Sequence, residues 1–556
     1  MPHRPGDGPS PEAPRTAPDE VFDVVVAGSG AGAMAAVAGG LAAGASVLVL
    51  EKGPVHGGTT ATSGGVAHIY NNTMMRAAGI EDPRPDALAY MARVSYPGAY
   101  DPEAPDLGLL PADYALLAAY YDRGSAVMEE LGHLGAARME APWLAWDGQF
   151  YPDYYEHEEN KALRGRGIQA KTADGLSGNG DELIAQLLAF ARDRGTEVRL
   201  GQRVVDLVEK EGRVAGVVVD DGRHRRRVRA RGGVVFGTGG FTHDPELRER
   251  FLRGPVVGGA GTPTNTGDLV RIASRAGAAF GGTQNAWWNQ QVLEAADDYA
   301  NSILDVWAIP GDSMLCVNRF GVRAVDEKRE YASRGRVHHI FEHDEYPNRV
   351  LFMVYDERTA DVFGGRYPLP PPGAVADHVV SGVGVDGLTV AIDERLTSRT
   401  SKAMPAGIAP VRLADGFADR LRTTIDRFNS LAEQGVDEDF GRGSKAVEFA
   451  FHGPPGRGHD RPNSLMYPLA TSGRLFAIFL VGTAFETNSG PRTDEDGRIL
   501  GAGGAPIPGL YGAGNCVNSV FGEGYPGGGS TIGPGLVFGF LAGRDAGQAA
   551  VSGGRR

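Results

Sequence analysis

Residues 24–36 read VVVAGSGAGAMAA: a β-branched apolar run, a glycine turn and an alanine-rich stretch in immediate succession. Few local patterns narrow the choice of fold so far. Val21–Ala27 suits a strand buried on both faces, and the Ala-rich segment to about Ala43 suits a helix laid over it. Gly28 and Gly30, followed by Ala31 and Gly32 and then by Ala33 in the third place, match the G-x-G-x-x-G/A turn. The first glycine lets the chain reverse, and the second lets a pyrophosphate reach the backbone. The helix that follows offers free N–H groups and its positive dipole end. A second strand, Ser46–Leu50, leads to Glu51, 23 positions after Gly28, the place for a carboxylate that grips adenosine ribose hydroxyls. This βαβ start predicts a dinucleotide-binding α/β fold; the competing reading is a tight βα turn with no ligand.

At 556 residues the chain exceeds what one hydrophobic core serves, so two domains are expected. Glycine, at 82 residues, is about twice its usual share and has no collagen-like period, which points to tight turns and backbone-lined ligand sites. The net charge of −14 argues against general nucleic-acid or anionic-membrane binding. With two cysteines, Cys316 and Cys516, and no C-x-x-C, a disulfide framework, a thiolate zinc site and c-type haem are not expected, and a reducing cytoplasm suits the chain. Residues 1–20 are rich in proline and acidic residues and have no apolar core, so they read as a disordered tail rather than a signal peptide. Residues 21–50 are apolar enough to suggest a membrane span. Asp23 and six glycines inside them favour strand–turn–helix–strand instead.

Farther along, 86–132 and 181–194 look helical, and 203–241 reads strand, turn, strand, turn, strand. The basic cluster Arg223–Arg231 falls in that hairpin and reads as its solvated edge. From about Gly282 the texture changes, with Trp287 and Trp288, the proline-rich 367–373 and a helical stretch near 415–434. The glycine-punctuated style returns in 509–514 and after Tyr525. The expected organisation is a Rossmann-like FAD-binding domain in two pieces, 21–281 and 482–556, around an inserted α+β catalytic domain, 282–481.

A second glycine loop follows Glu51 and Lys52 directly. Its Gly57, Gly58, Thr59, Thr60, Ser63, Gly64 and Gly65 supply enough backbone and hydroxyl groups to wrap a second, larger cofactor portion, which fits FAD better than NAD. A third turn, 233–241, brings Thr238, Gly239 and Gly240 toward the dinucleotide after a buried strand. Near the end, 522–534 reads GEGYPGGGSTIGP, with Tyr525 alone among glycines: a packing plug or a proton handler.

Together these motifs, with TNTGD at 264–268 and the whole of 509–543, resemble the fumarate reductase/succinate dehydrogenase flavoprotein superfamily, and within it the 3-ketosteroid Δ1-dehydrogenases. The resemblance covers nearly the whole chain and implies a fumarate reductase flavoprotein-like fold that binds FAD without a covalent link. It adds Val205, Asp268, Gly514, Asn515, Ser530, Thr531 and Ile532 to the cofactor contacts. It implies that the Tyr525 hydroxyl and the Gly529 N–H hydrogen-bond the ketone oxygen as an oxyanion hole, while a helix opening at Ser530–Ile532 favours negative charge on the flavin. The family's base is a tyrosine in N-E-S-x-P-Y. Here the segment is D-E-K-R-E-Y, so Tyr331 is the candidate base, with Lys328 and Glu330 as departures. A further family tyrosine assists the base; Y-P-D-Y-Y at 151–155 makes Tyr154 the candidate, with Tyr155 and then Tyr151 as rivals.

The implied reaction is FAD-dependent introduction of a C=C bond α,β to a ring ketone, with the α-proton going to a base and the β-hydrogen as hydride to flavin N5. The substrate is a 3-ketosteroid or a smaller cyclohexanone-type ketone, and an external acceptor reoxidises the flavin. A fumarate-reductase-like enoate reductase is the alternative, but it needs cationic clamps and 522–534 contains no arginine. A flavin-holding protein without substrate chemistry is the third reading. His338–His339 and His452 with His459 lack partners at metal-site spacing, and His56 beside the flavin loop does not establish a covalent link.

Overall fold

The computed structural model describes residues 20–297, 305–398 and 411–553; of the expected N-terminal tail, residues 1–19 lie outside them. The first strand, Glu20–Ala27, is flanked by two parallel neighbours. Val24–Ala27 pair with Val47–Leu50 on one edge and with Gly233–Phe236 on the other. The parallel sheet continues outward to Glu197–Arg199 and to Pro506–Gly512. Its central strands are continuous runs of buried Val and Leu with Ala27 and Phe236, as expected when helices cover both faces. Residues 203–241 form the expected antiparallel meander: Arg203–Lys210, Arg213–Asp220 and the first half of Arg225–Phe236. Within it Arg227, Arg229 and Arg231 point to solvent and Val228 and Ala230 inward.

Helix Ala31–Ala42 lies against the C-terminal helix Ile532–Gly553 at backbone contact. A Cβ added to Gly39 would sit 2.0 Å from the Phe540 carbonyl oxygen, and one on Gly543 would sit 1.9 Å from that of Ala36. Part of the glycine excess is spent here, where the chain's last helix closes over its first.

A second, antiparallel sheet is organised by the 14-residue strand Arg474–Thr487. Val350–Asp356 pairs along one edge of this strand; Val379–Val383 and Ala286–Val292 share the other. Met314–Val317 adds to Val350–Asp356, and helix Phe417–Gln434 packs into the apolar cluster on one face. The central strand runs unbroken through residue 481, where the inserted domain was expected to end. A small sheet of Ala67–His68, Ala141–Pro142 and Gly167–Lys171 supports the site from below. No described helix is long and apolar enough to cross a membrane, and Cys316 and Cys516 are buried and unpaired.

Candidate active site

Gly28 turns with φ +102°, and a Cβ there would sit 2.3 Å from the Gly237 carbonyl oxygen, so no other residue fits the turn without displacing the next strand. Ser29, between the two glycines, ties the cleft together. Its hydroxyl donates to Glu51 Oε2 at 2.6 Å and accepts from the Gly57 N–H at 2.9 Å, linking the first turn, the ribose carboxylate and the second loop. The Ala31 N–H donates to Thr60 Oγ1 at 3.1 Å, and Thr59 Oγ1 accepts from the Thr262 N–H and Asn265 Nδ2, each at 3.1 Å. Lys52 Nζ donates to Asp268 at 2.7 Å and Thr266 at 2.8 Å.

Gly28, Gly30, Ala31, Gly32, Glu51 and Lys52 line one cleft with Gly58, Thr59, Thr60 and Ser63. Thr238, Gly239, Asp268, Gly514, Asn515, Thr531 and Ile532 complete it from the other pieces of chain. Three expected residues stand behind the wall. Ala33 is small because Gly237 packs on it, Gly57 acts through Ser29, and Gly240 lies against Thr487 and Glu486. Val204, not Val205, faces the cleft, because adjacent residues of a strand point to opposite sides. Ser530 lies in an adjoining recess and donates to the Gly527 carbonyl at 2.7 Å, and the helix begins at Ile532. The cleft fits FAD: backbone-lined walls, a helix start free of acidic residues at Ala31, and a carboxylate at Glu51. Ser29, Gln202, Val204, Thr264, Asn265 and Ala513 also line it and were not expected from sequence. Ser29 lies inside the glycine signature, Thr264 and Asn265 inside TNTGD and Ala513 inside 509–543, yet none was singled out.

The cleft opens into a cavity of about 450 Å³. Gly64, Gly65, Tyr331, Tyr525 and Gly529 line it with Tyr151, one of the rival tyrosines, and the unexpected Trp143, Trp287, Trp307 and Phe485. Tyr525 is buried, with Trp287 edge-on to its ring at 5.1 Å and Tyr331 at 5.5 Å. Its segment is clamped by Tyr90 Oη and the Tyr154 N–H, which donate to the Pro526 carbonyl at 2.7 and 2.9 Å. Gly529 has φ +92°, and a Cβ there would meet the Val66 carbonyl oxygen at 2.6 Å, so its amide is held in place by the Ala67–His68 strand. Burial raises the Tyr525 phenol above its ordinary value, and hydrogen bonds from Tyr331, Thr531 and the Gly529 amide pull it partly back. Tyr525 and Gly529 face the same cavity.

Tyr331 opens helix Tyr331–Arg336, and the departures from the family motif have structural work. Glu330 caps that helix by accepting from the Ser333 N–H at 3.2 Å and pairs with Arg329 at 3.0 Å. Lys328 is fully buried, donates to the Ile309 carbonyl at 2.5 Å and to that of Gly311, and is pushed well below its ordinary range by burial and by Arg442. Of the three rival tyrosines, Tyr154 reaches the base, donating to Tyr331 Oη at 2.8 Å from behind the cavity wall. Tyr151 lines the cavity with its ring stacked 3.7 Å from Trp143, and Tyr155 stacks on His157 at 5.6 Å, away from the cavity.

Among the described residues lining the cavity there is no Arg, Lys or His; the ionisable carboxyls are Asp305 and Glu486. Burial pushes Glu486 up to about 7 against hydrogen bonds from Thr242 Oγ1 at 2.6 Å, the Thr487 N–H at 3.0 Å and Asn265 Nδ2. His56 lines neither the cleft nor the cavity. His338 is held by the Asn348 carbonyl at 2.6 Å, and no metal-binding group of His, Cys, Asp and Glu exists among the described residues.

Residues 23–532 match the FAD binding domain family. The chain is 31% identical to 4-oxocyclohexanecarboxylate 2-dehydrogenase of Sinomonas cyclohexanicum, over 96% of this chain and 94% of that protein. It is 29% identical to 3-oxosteroid 1-dehydrogenase of Mycolicibacterium smegmatis, over 96% and 98%. Among solved structures it resembles the 3-ketosteroid Δ1-dehydrogenase of Sterolibacterium denitrificans in complex with 1,4-androstadiene-3,17-dione. That likeness has a TM-score of 0.76 at 24% identity and covers 96% of this chain and 100% of the other.

Proposed function

The chain belongs to the FAD binding domain family, and from that membership we propose a dehydrogenase that introduces a C=C bond beside the carbonyl of a cyclic ketone, a 3-oxosteroid or a cyclohexanone. It is a FAD-dependent oxidoreductase acting on CH–CH bonds. The observation that carries the reading is that two buried phenols, Tyr331 and Tyr525, and Gly529 line one cavity beside the FAD cleft, with Tyr154 hydrogen-bonded to Tyr331 behind its wall.

Tyr525 Oη and the Gly529 N–H hold the ketone oxygen. Two donors aimed at that atom stabilise an enolate more than a ketone, which acidifies the adjacent C–H. Tyr331 takes the α-proton, and Tyr154, donating to Tyr331 Oη, stabilises the phenolate oxygen and holds the ring in place. Trp287 and Phe485 pack edge-on to these phenols and keep water from the reacting ring. Bound FAD supplies the two-electron acceptor for the β-hydrogen.

The absence of a cation among the described lining residues disfavours the enoate-reductase alternative, since a dicarboxylate needs positive partners. Among the described residues no histidine or cysteine lines either space, which supports non-covalent FAD. Electrons leave to an external acceptor, and the unpaired buried cysteines support a cytoplasmic setting. Anaerobic addition of a saturated ring ketone to the flavin-loaded protein is expected to bleach the visible flavin band. Absence of bleaching with every 3-oxosteroid and cyclohexanone tried would remove this reading.

A further inference from the structure

The charge on the cavity wall narrows the substrate class, an inference that rests on the ring-ketone reading above. Glu486 is already satisfied by Thr242, Thr487 and Asn265. Asp305 is not. It lines the cavity, and its one side-chain donor among the described residues is Asn289 Nδ2, at 2.8 Å to Oδ2. The residue is enclosed by protein yet keeps part of its surface accessible.

Its position follows from the strand that holds it. Asn289, which holds the Asp305 carboxyl, and Trp287 both belong to the strand Ala286–Val292. Trp287 packs edge-on to Tyr525 at 5.1 Å. The Asp305 carboxyl and the Tyr525 phenol thus line the same cavity of about 450 Å³. The space between is bounded by aromatic faces, Trp143 on Tyr151 and Trp307 edge-on to Trp143 at 6.3 Å, which accept a flat, uncharged ring. Burial pushes Asp305 up to about 6, which leaves it mainly ionised at pH 7.5.

We propose that the site takes an uncharged ring ketone bearing a hydroxyl, that Asp305 accepts the hydroxyl's hydrogen bond, and that the same carboxylate turns away ring ketones bearing a carboxylate. A carboxylate with one side-chain donor among the described residues has room for another, and a second anion beside it is repelled where the described lining offers no cation. Only affinity and orientation change; the hydrogens removed are those of the reaction already described.

The test titrates the flavin-loaded protein anaerobically at pH 7.5 with cyclohexanone, 4-hydroxycyclohexanone and 4-oxocyclohexanecarboxylate, reading half-saturation of flavin bleaching. The hydroxylated ketone is expected to half-saturate about tenfold below cyclohexanone, and the carboxylate at least about tenfold above it. Asp305→Ala should abolish the hydroxyl preference, and Asp305→Asn should bring the carboxylate within about threefold of cyclohexanone. The wild-type ranking alone decides the matter if a variant does not fold. Equivalence of the three ketones, a preference for the carboxylate, or bleaching by a 3-oxosteroid and none of the three overturns this inference alone. Bleaching by no ketone at all overturns the ring-ketone reading and this inference with it.

Discussion

Tyr154 donates a 2.8 Å hydrogen bond to Tyr331, and the two rings meet edge to face at 5.6 Å. Tyr331 lines the cavity and Tyr154 does not, so substitution should separate base from support. Tyr331→Phe removes the proton acceptor and should slow flavin reduction about 10²–10⁴-fold. Tyr154→Phe removes one hydrogen bond, worth about 1 kcal/mol, and should slow it roughly fivefold. Anaerobic stopped-flow reduction with a saturated ring ketone measures both, and equal losses would contradict the division of roles.

The same pair sets a pH dependence. Burial raises the Tyr331 phenol well above 10. A base whose pKa lies above the working range gains its active form as pH rises, so the reduction rate should climb from pH 7 to pH 10 without a plateau. In Tyr331→Phe the residual rate should be flat over that range. A wild-type rate that levels off near pH 7 would show a base other than this phenol.

Tyr525→Phe keeps the ring that packs on Trp287 and Tyr154 and deletes one donor to the ketone oxygen. Losing one such donor should cost about 3 kcal/mol of transition-state stabilisation, roughly a 10²-fold fall in the reduction rate, while FAD content stays that of the wild type. A variant with full activity would make Tyr525 a packing residue only.

The parts of this site visible in the sequence are those that one short segment specifies. The Gly28 turn, the Tyr525–Gly529 segment and the 203–241 meander each have their geometry dictated locally, by positive φ, glycine spacing or alternation. Tyr331 was findable through its neighbours, although Lys328 and Glu330 disguise the motif. Those two serve burial and helix capping, constraints that come from elements elsewhere in the fold. The aromatic wall was not legible. Trp143, beside the small sheet, Trp307, in a loop, and Phe485, in the long strand of the second sheet, come from separate segments and meet only in the folded chain, which no local pattern encodes. Val205 was one residue off because strand phase is set by pairing with the neighbouring strand.

Ser29 shows what a local signature conceals. The position between two glycines is written as x, yet its hydroxyl bridges Glu51 and Gly57. Ser29→Ala leaves the Gly57 N–H without its acceptor and frees the Glu51 carboxylate, at a cost of about 1–3 kcal/mol to the pre-formed cleft. FAD affinity, followed by recovery of flavin fluorescence on dilution, should fall roughly tenfold, with reduction by ketone unchanged once FAD is saturating. Unchanged affinity would mean that the cleft is held by backbone alone.

Glu448 gives a stability test remote from the cofactor. It is buried, its Oε2 accepts from the Gly443 N–H, and its Oε1 has no donor. Burial first, then Asp326, push it up to about 8. A carboxyl whose folded-state pKa exceeds its unfolded value near 4.5 holds a proton that the unfolded chain has already lost. Its contribution is therefore intact below about pH 4.5 and is lost as pH rises through about 8. Glu448→Gln cannot ionise in either state and escapes that loss. The difference in Tm, variant minus wild type, should grow more positive between pH 5 and pH 8.5, measured by scanning calorimetry on the flavin-loaded proteins. A difference independent of pH would show that Glu448 is ionised in the folded protein throughout, held by its neighbours rather than strained by them.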